Sequence, residues 1–486
     1  MHHIKLAKLI TVAVFLIALV AAVPAGLVHA SSLTLVSGPS PYANCSIAGQ
    51  PGTNYLNAEV EPWVSINPKN PSNIIGVWQQ DRWSNGGARG LVAGYSLNGG
   101  KSWKETPLPF SSCAPGGLPY QRASDPWVSF GPDGTAYTVS ISFDRTDNKN
   151  AVGAATSTDG GKTWGNLRSL VSYTTNGGQF STDKESVTAD PVKAGTAYAV
   201  WDTLVGPTDQ PDDNPHAMAF TGDAYFAKTT DGGQSWSTAT VIVHTSQNTQ
   251  TIGNQIVVDP RNGTLYDFFD LILHPTGVAF NVAFVKSTDG GATWSAPQII
   301  STLGTAFVTD PNTGQAIRTS DIIPEPAIDS ASGQLYIVWQ DAGFTKGKFD
   351  EVALSTSSDG GATWSTPIRV NTNTPSNRPG FTPSINVNAT GTVGITFYDF
   401  RNLTTQTTTL PTDYWSVTST NHGASFGNET HIAGSFDMLR APFASGFFVG
   451  DYESLGTSAT SFQPFFVQAN SGNTSNRTDV FTTTVQ

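Results

Sequence analysis

Ser157-Thr158-Asp159-Gly160-Gly161-Lys162-Thr163-Trp164 is the stretch that decides the fold. It returns at 229–236, 287–294 and 357–364, and more loosely at 96–103 and 419–426. The closing aromatics stand at 103, 164, 236, 294, 364 and 426, spaced by 58 to 72 residues. Self-similarity at such a period marks an array of equal supersecondary units. The motif has a physical reading of its own. Asp or Asn in the turn accepts from following backbone N–H groups, and the glycine pair tolerates positive φ. The aromatic then folds back over a β-hairpin.

A second signature precedes each turn. Pro62-Trp63-Val64-Ser65-Ile66 leads through a turn to Ile74-Ile75-Gly76-Val77-Trp78, and later versions begin at Pro126, Glu185, Gln255, Pro326 and Pro383. The paired apolar strands end in Trp201-Asp202, Phe269-Asp270, Trp339-Gln340-Asp341 and Tyr398-Asp399. Each repeat therefore reads strand A, turn, strand B, loop, strand C, glycine turn, strand D. Four antiparallel strands per repeat are a propeller blade. After the sixth turn, residues 451–455, 464–468 and 479–485 read as strands A, B and C with no D. Leu33-Thr34-Leu35-Val36 can supply it, which predicts an all-β propeller of seven blades closed by an N-terminal strand. Six blades is the alternative.

Composition agrees. The 486 residues include 48 Gly and 12 Trp but only 13% charged residues, which suits short strands and polar turns. Lys5 and Lys8 precede an apolar run from 9 to 28 and Val28-His29-Ala30, the pattern of a signal peptide over 1–30. The remaining 31–486 reads as one domain, secreted and without a membrane partner. Beyond residue 30 there are 23 basic and 37 acidic side chains, a net charge of −14 that argues against nucleic acid. Cys45 and Cys113 are the only cysteines, and in an exported chain an even pair predicts a disulfide. They sit on the outermost strands of what would be adjacent blades.

The glycine turns resemble the Asp box of sialidases and other BNR-repeat propellers, over residues 96–426. In that family the box is a structural element, so chemistry belongs elsewhere. Residues that break the repeat are the better candidates. The aspartates ending strand B (Asp81, Asp144, Asp202, Asp270, Asp341 and Asp399) recur and read mainly as turn residues. The heads of strand A vary: Glu61, Asp125, Lys184, Asn254, Glu325, Thr382 and Asp451. Several carboxylates around one axis need arginines or another cation beside them.

The resemblance also implies a mechanism. Sialidases head one strand A with a glutamate, as in Pro324-Glu325-Pro326, and the last with a nucleophilic tyrosine, as in Tyr452-Glu453-Ser454-Leu455. A tyrosine avoids repulsion from the substrate carboxylate, and a nearby glutamate draws off its proton. Three arginines should clamp that carboxylate. Here Val60-Glu61-Pro62 and Gln340-Asp341 stand at two of those places, and only Arg401 suits the third, which weighs against true sialidase activity. The catalytic candidates are Tyr452, Glu325 and Asp81. The substrate-binding candidates are Arg401, Arg378, Arg122, Arg82, Glu61, Asp125 and Asp451.

The expected function is a glycoside hydrolase acting on extracellular glycans at the channel mouth. The rivals are a non-catalytic propeller binding glycan or protein there, and a calcium-stabilised surface protein. No cofactor or metal site is expected. Calcium is the one ion with a place, at the acidic loop 202–224 with Asp209, Asp212, Asp213 and His216, although a solvated loop fits that spacing better.

Overall fold

The computed structural model describes residues 32–486 except 148, 174–179, 207–220, 275–277 and 373–377. The signal-peptide expectation, and Asp209, Asp212, Asp213 and His216, lie outside the described residues. The described chain is all-β, with only two single-turn 3-10 segments.

Of the thirty described strands, 28 fall into seven antiparallel units of four, and the other two, Ile317–Arg318 and Phe447–Phe448, pair in parallel with each other. Unit one is Glu59–Ile66, Ile74–Arg82, Ala88–Ser96 and Lys104–Leu108, and unit two is Arg122–Phe130, Ala136–Phe143, Asn150–Ser157 and Gly165–Tyr173. Unit three is Phe180–Ala189, Ala197–Val205, Thr221–Thr229 and Thr240–Val243. Unit four is Thr249–Val258, Leu265–Leu273, Phe280–Ser287 and Gln298–Leu303. Unit five is Glu325–Ile328, Leu335–Asp341, Glu351–Ser357 and Ile368–Arg369. Unit six is Gly380–Val387, Val393–Asp399, Pro411–Ser419 and Thr430–Asp437. The last joins Ser454–Thr457, Phe462–Ala469 and Thr478–Thr482 to Thr34–Leu35, with Thr34 opposite Thr482 and Leu35 opposite Phe481.

Each strand A contacts the strand A of the next unit, from one through seven and back to one. No single hydrogen-bonded sheet runs through all seven units; most junctions are made by side chains. This explains why the B strands are near-continuous apolar runs. In unit five, Leu335, Ile337 and Trp339 enter the core shared with unit four, while Tyr336 and Val338 enter the one shared with unit six. Both faces are dry, so period-two alternation disappears.

The glycine turns join strands C and D as expected. Asp159 accepts from Ser157 Oγ (2.9 Å), Thr163 N (3.0 Å) and Thr163 Oγ1 (2.7 Å), and Gly161 N donates to Ser157 Oγ. Gly161 has φ of 93°, and a Cβ there would meet Ile75 of unit one at 2.9 Å. The turn is thus both a hairpin closure and a wedge between units. The Cys45–Cys113 disulfide is present, with Cα atoms 5.7 Å apart.

Candidate functional site at the heads of the innermost strands

One irregularity recurs in strand A. The register slips between Val60 and Trp63, Ser124 and Trp127, Asp183 and Ser186, Ile252 and Gln255, and Phe381 and Ser384. Within these bulges Glu61, Asp125, Lys184, Gly253 and Thr382 all have positive φ, between 43° and 75°. Four of the five are not glycine, so the conformation costs about 1–2 kcal/mol each and must be held by surroundings. A bulge re-aims a side chain. Here it brings residues from different units together.

They meet on Lys184. Its Nζ lies 2.9 Å from Asp125, 2.8 Å from Asp451 and 3.3 Å from Glu61, with all four side chains at most 5% exposed. Arg318 reaches Asp451 through Nε at 2.9 Å and through a second, shorter Nη2 contact, and remains 28% exposed. Gln79 donates to Glu61 and, at 3.2 Å, to Asp125. Arg82 donates to Gln79 at 3.0 Å. Both arginines lie over the Phe448 ring, 5.0 Å away for Arg82 and 4.5 Å for Arg318.

The network separates its acids. Burial and then the Asp125 charge push the Glu61 carboxyl up to about 8, despite Lys184. Burial also works against Asp125, but Lys184 and the Ser124 hydroxyl overcome it and hold that carboxyl below its usual value. At Asp451 burial is outweighed by Arg318 and Lys184, which hold it well below. Lys184, disfavoured by burial, is kept well above its usual value by Asp125, Asp451 and Glu61. The network thus raises Glu61 while it lowers Asp125 and Asp451.

Beside this cluster is a narrow crevice, partly open to solvent and with room for about one water, lined by Trp127, Lys184, Gly253, Asn254, Gln255, Ile323 and Tyr452. Gly253 is the one bulge residue without a side chain, and Ile323 packs over it, 3.0 Å from where a Cβ would stand. Among the described residues no group pairs with Tyr452 Oη or Asn254 Oδ1, although both are buried. The Tyr452 ring packs against Trp127 (5.4 Å) and Trp63 (6.1 Å), with Lys184 Nζ 5.5 Å above it.

The expected residues therefore divide. Glu61, Asp125, Asp451 and Arg82 come together, with Tyr452 beside them. No hydrogen bond joins Tyr452 to Glu325, whose carboxylate accepts from Ser384 Oγ (2.7 Å) and Ile385 N (3.1 Å) and is pushed up to about 8 by burial. Asp81 accepts from Ser40 (2.7 Å), Asn57 N (2.8 Å) and Arg89 (3.2 Å). Arg401 pairs with Asp399 and Glu429, and Arg378 donates to the Leu403 carbonyl. Arg122 is spent on Gln50, Pro51, Asn85 and Gly86. The sequence reading did not single out Gln79, Trp127 or Gln255. It placed Lys184 at a strand head without a role, although a lone lysine among acidic and polar heads is the counter-ion they require.

Residues 223–323 match the BNR repeat-like domain, a span that holds two of the glycine turns. The chain carries that repeat, as its turns implied. It is similar to the Penicillium chrysogenum α-L-arabinanase complexed with arabinobiose, at 12% identity over 93% of this chain and 98% of that one, TM-score 0.48. A Hadza microbial sialidase is 16% identical over 86% and 74%, TM-score 0.47. The Trypanosoma rangeli sialidase in complex with sialic acid is 15% identical over 77% and 56%, TM-score 0.45. No curated protein matches the chain. With every score below 0.5, the architecture rests on the strand pairing.

Proposed function

We propose that this chain is a secreted glycoside hydrolase built on a seven-bladed propeller, closed by the N-terminal strand, acting on glycans at the heads of its A strands. The antiparallel pairing of Thr34–Leu35 and the circuit of A-strand contacts support seven closed blades. The disulfide and the apolar N-terminal run support export to an oxidising compartment.

The observation that carries the enzymatic reading is the splitting of neighbouring carboxyls about Lys184. Acid–base pairs are recognised by environments that push their pKa values apart. Glu61, whose carboxyl is raised, is the general acid for a glycosidic oxygen, and Asp125, whose carboxyl is lowered, is its partner. Both carboxylates lie within 3.3 Å of one Nζ, compatible with the roughly 5–5.5 Å separation of a retaining pair. The crevice would have to widen to take a sugar, which would then meet the Trp127 and Tyr452 faces, the Asn254 amide and the Tyr452 hydroxyl.

Purified protein is assayed on a panel of aryl glycosides that includes arabinosides and sialosides. Hydrolysis of a neutral glycoside is expected, reduced about 100-fold or more in Glu61→Gln and in Asp125→Asn. Turnover unaffected by either change removes these roles. A second reading, a non-catalytic glycan- or protein-binding propeller, is favoured by Lys184 engaging all three carboxylates and by the unjoined Tyr452 and Glu325. Glycan binding with no turnover of any panel member selects it.

A further inference from the structure

The interior also holds acids that no cation pairs with directly. Glu185, in strand A of unit three, is fully buried, and among the described residues no other residue donates to either carboxylate oxygen. The groups facing it are Asp125 from unit two, Asp183 and Lys184 on its own strand, and the Tyr452 hydroxyl. Lys184 is already engaged by Glu61, Asp125 and Asp451.

Asp267, in strand B of unit four, is also fully buried with both oxygens unpartnered. Its cross-strand neighbours are Ile256 and Val285, and the one titratable group facing it is another acid, Asp202. Asp270, three residues on, takes Asn281 N on one oxygen at 2.7 Å and has no partner on the other. Asp202 faces it too.

An isolated carboxylate in such a setting is far costlier than a neutral carboxyl group. Among the described residues no three His, Cys, Asp or Glu side chains are arranged to hold a metal ion. Proton uptake neutralises such carboxylates without any partner.

We infer that this protein is folded with Glu185, Asp267 and Asp270 protonated, so that its fold is strongest in acid and loosens as the medium approaches and passes neutrality, with units three and four loosening first. This sensitivity suits a protein working in acidic surroundings.

Burial raises all three carboxyls well above the ordinary range. The unfolded chain binds these protons only below about pH 4. The native state holds them to higher pH, so the contribution is complete below about pH 4 and is lost as pH rises through the native values.

The test is thermal unfolding of the purified protein between about pH 4 and pH 8, for wild type and for Glu185→Gln/Asp267→Asn. The amides keep the shape of a protonated acid and cannot ionise. The wild-type midpoint is expected to fall by about 10 °C or more across this range, and the double variant to flatten that fall while matching wild type at the acid end. Hydrogen exchange at the alkaline end should release unit three and four amides first. Where the variant does not fold, infrared spectra of wild type decide: the carbonyl stretch of protonated carboxyl groups should persist at neutrality. A midpoint that is flat or rises with pH, exchange beginning in other units, or loss of that band overturns the inference.

Discussion

Lys184 Nζ lies 2.8 Å from Asp451 Oδ2, and this single contact ties unit three to the segment leading into unit seven. The two residues are 267 apart in sequence. Because the same ammonium also holds Asp125 and Glu61, it neutralises acids that two further bulges have turned inward. Lys184→Met removes the charge and keeps most of the volume. It leaves Asp125 and Asp451 buried with less compensation, so denaturant unfolding should show a loss of about 3–5 kcal/mol. Lys184→Arg, which keeps the charge, should lose clearly less. Equal losses would mean that the stem rather than the charge matters here.

The Cys45–Cys113 bridge closes a loop of 68 residues and joins the segment after the first strand to the segment after strand D of unit one. Both sulfurs pack against the large core shared by units one, six and seven. Replacing both cysteines by serine should destabilise the protein by about 2–5 kcal/mol, measured in denaturant. Hydrogen exchange should rise first at Val36, whose N–H bonds Val480, and along residues 478–482, because the bridge anchors that pairing. Unchanged protection there would show that the closing strand is held by its own contacts.

The repeat, the order of strands within it and the disulfide could be read from the sequence, because each depends on local chemistry: glycine turns, apolar runs, an even pair of thiols. The heads of strand A could be located in the same way. What they do could not. Arg401, Arg378 and Arg122 were plausible clamps by type, yet each is satisfied within its own neighbourhood, by Asp399 and Glu429, by a carbonyl, and by a loop. Sequence gives no distance between units, and it gives no sign of a bulge at Glu61 or Lys184, where non-glycine residues take positive φ against their local preference. Asp81, suggested for chemistry, is instead the anchor for Ser40 and Asn57 beneath the N-terminal segment.

The glycine turns set an acid limit to the stability that the interior carboxyls create. Asp231 is held down to about 2, first by the Ser235 hydroxyl and then by its N–H, and Asp359 to about 2 by the Thr363 hydroxyl and N–H. These native values lie below the unfolded one, so the turns stabilise above about pH 4 and lose that contribution as pH falls through about 2. The melting midpoint should therefore turn over in strong acid. Asp231→Asn with Asp359→Asn should lessen the downturn, since Asn98 and Asn421 already make the same turn with Ser102 N and Ser425 N, each at 3.0 Å. A downturn unchanged in that variant would point to general charge repulsion.

Tyr452 offers a test that separates ligand recognition from folding. Its hydroxyl is buried with no partner among the described residues, while its ring packs on Trp63 and Trp127. Deleting a buried hydroxyl that makes no hydrogen bond removes a desolvation penalty, so Tyr452→Phe should unfold at the same denaturant concentration as wild type or slightly higher. The ring contacts survive the change. If the hydroxyl faces a ligand in the crevice, affinity for a bound glycan should fall about 5- to 15-fold, the worth of one neutral hydrogen bond. Titration calorimetry on the glycan selected from the panel measures this directly. Unchanged affinity beside unchanged stability would take Tyr452 out of the site and leave Asn254, Gln255 and Trp127 as its walls. Lowered stability would mean that the hydroxyl has a partner in the folded protein, and the crevice would then be smaller than its lining suggests.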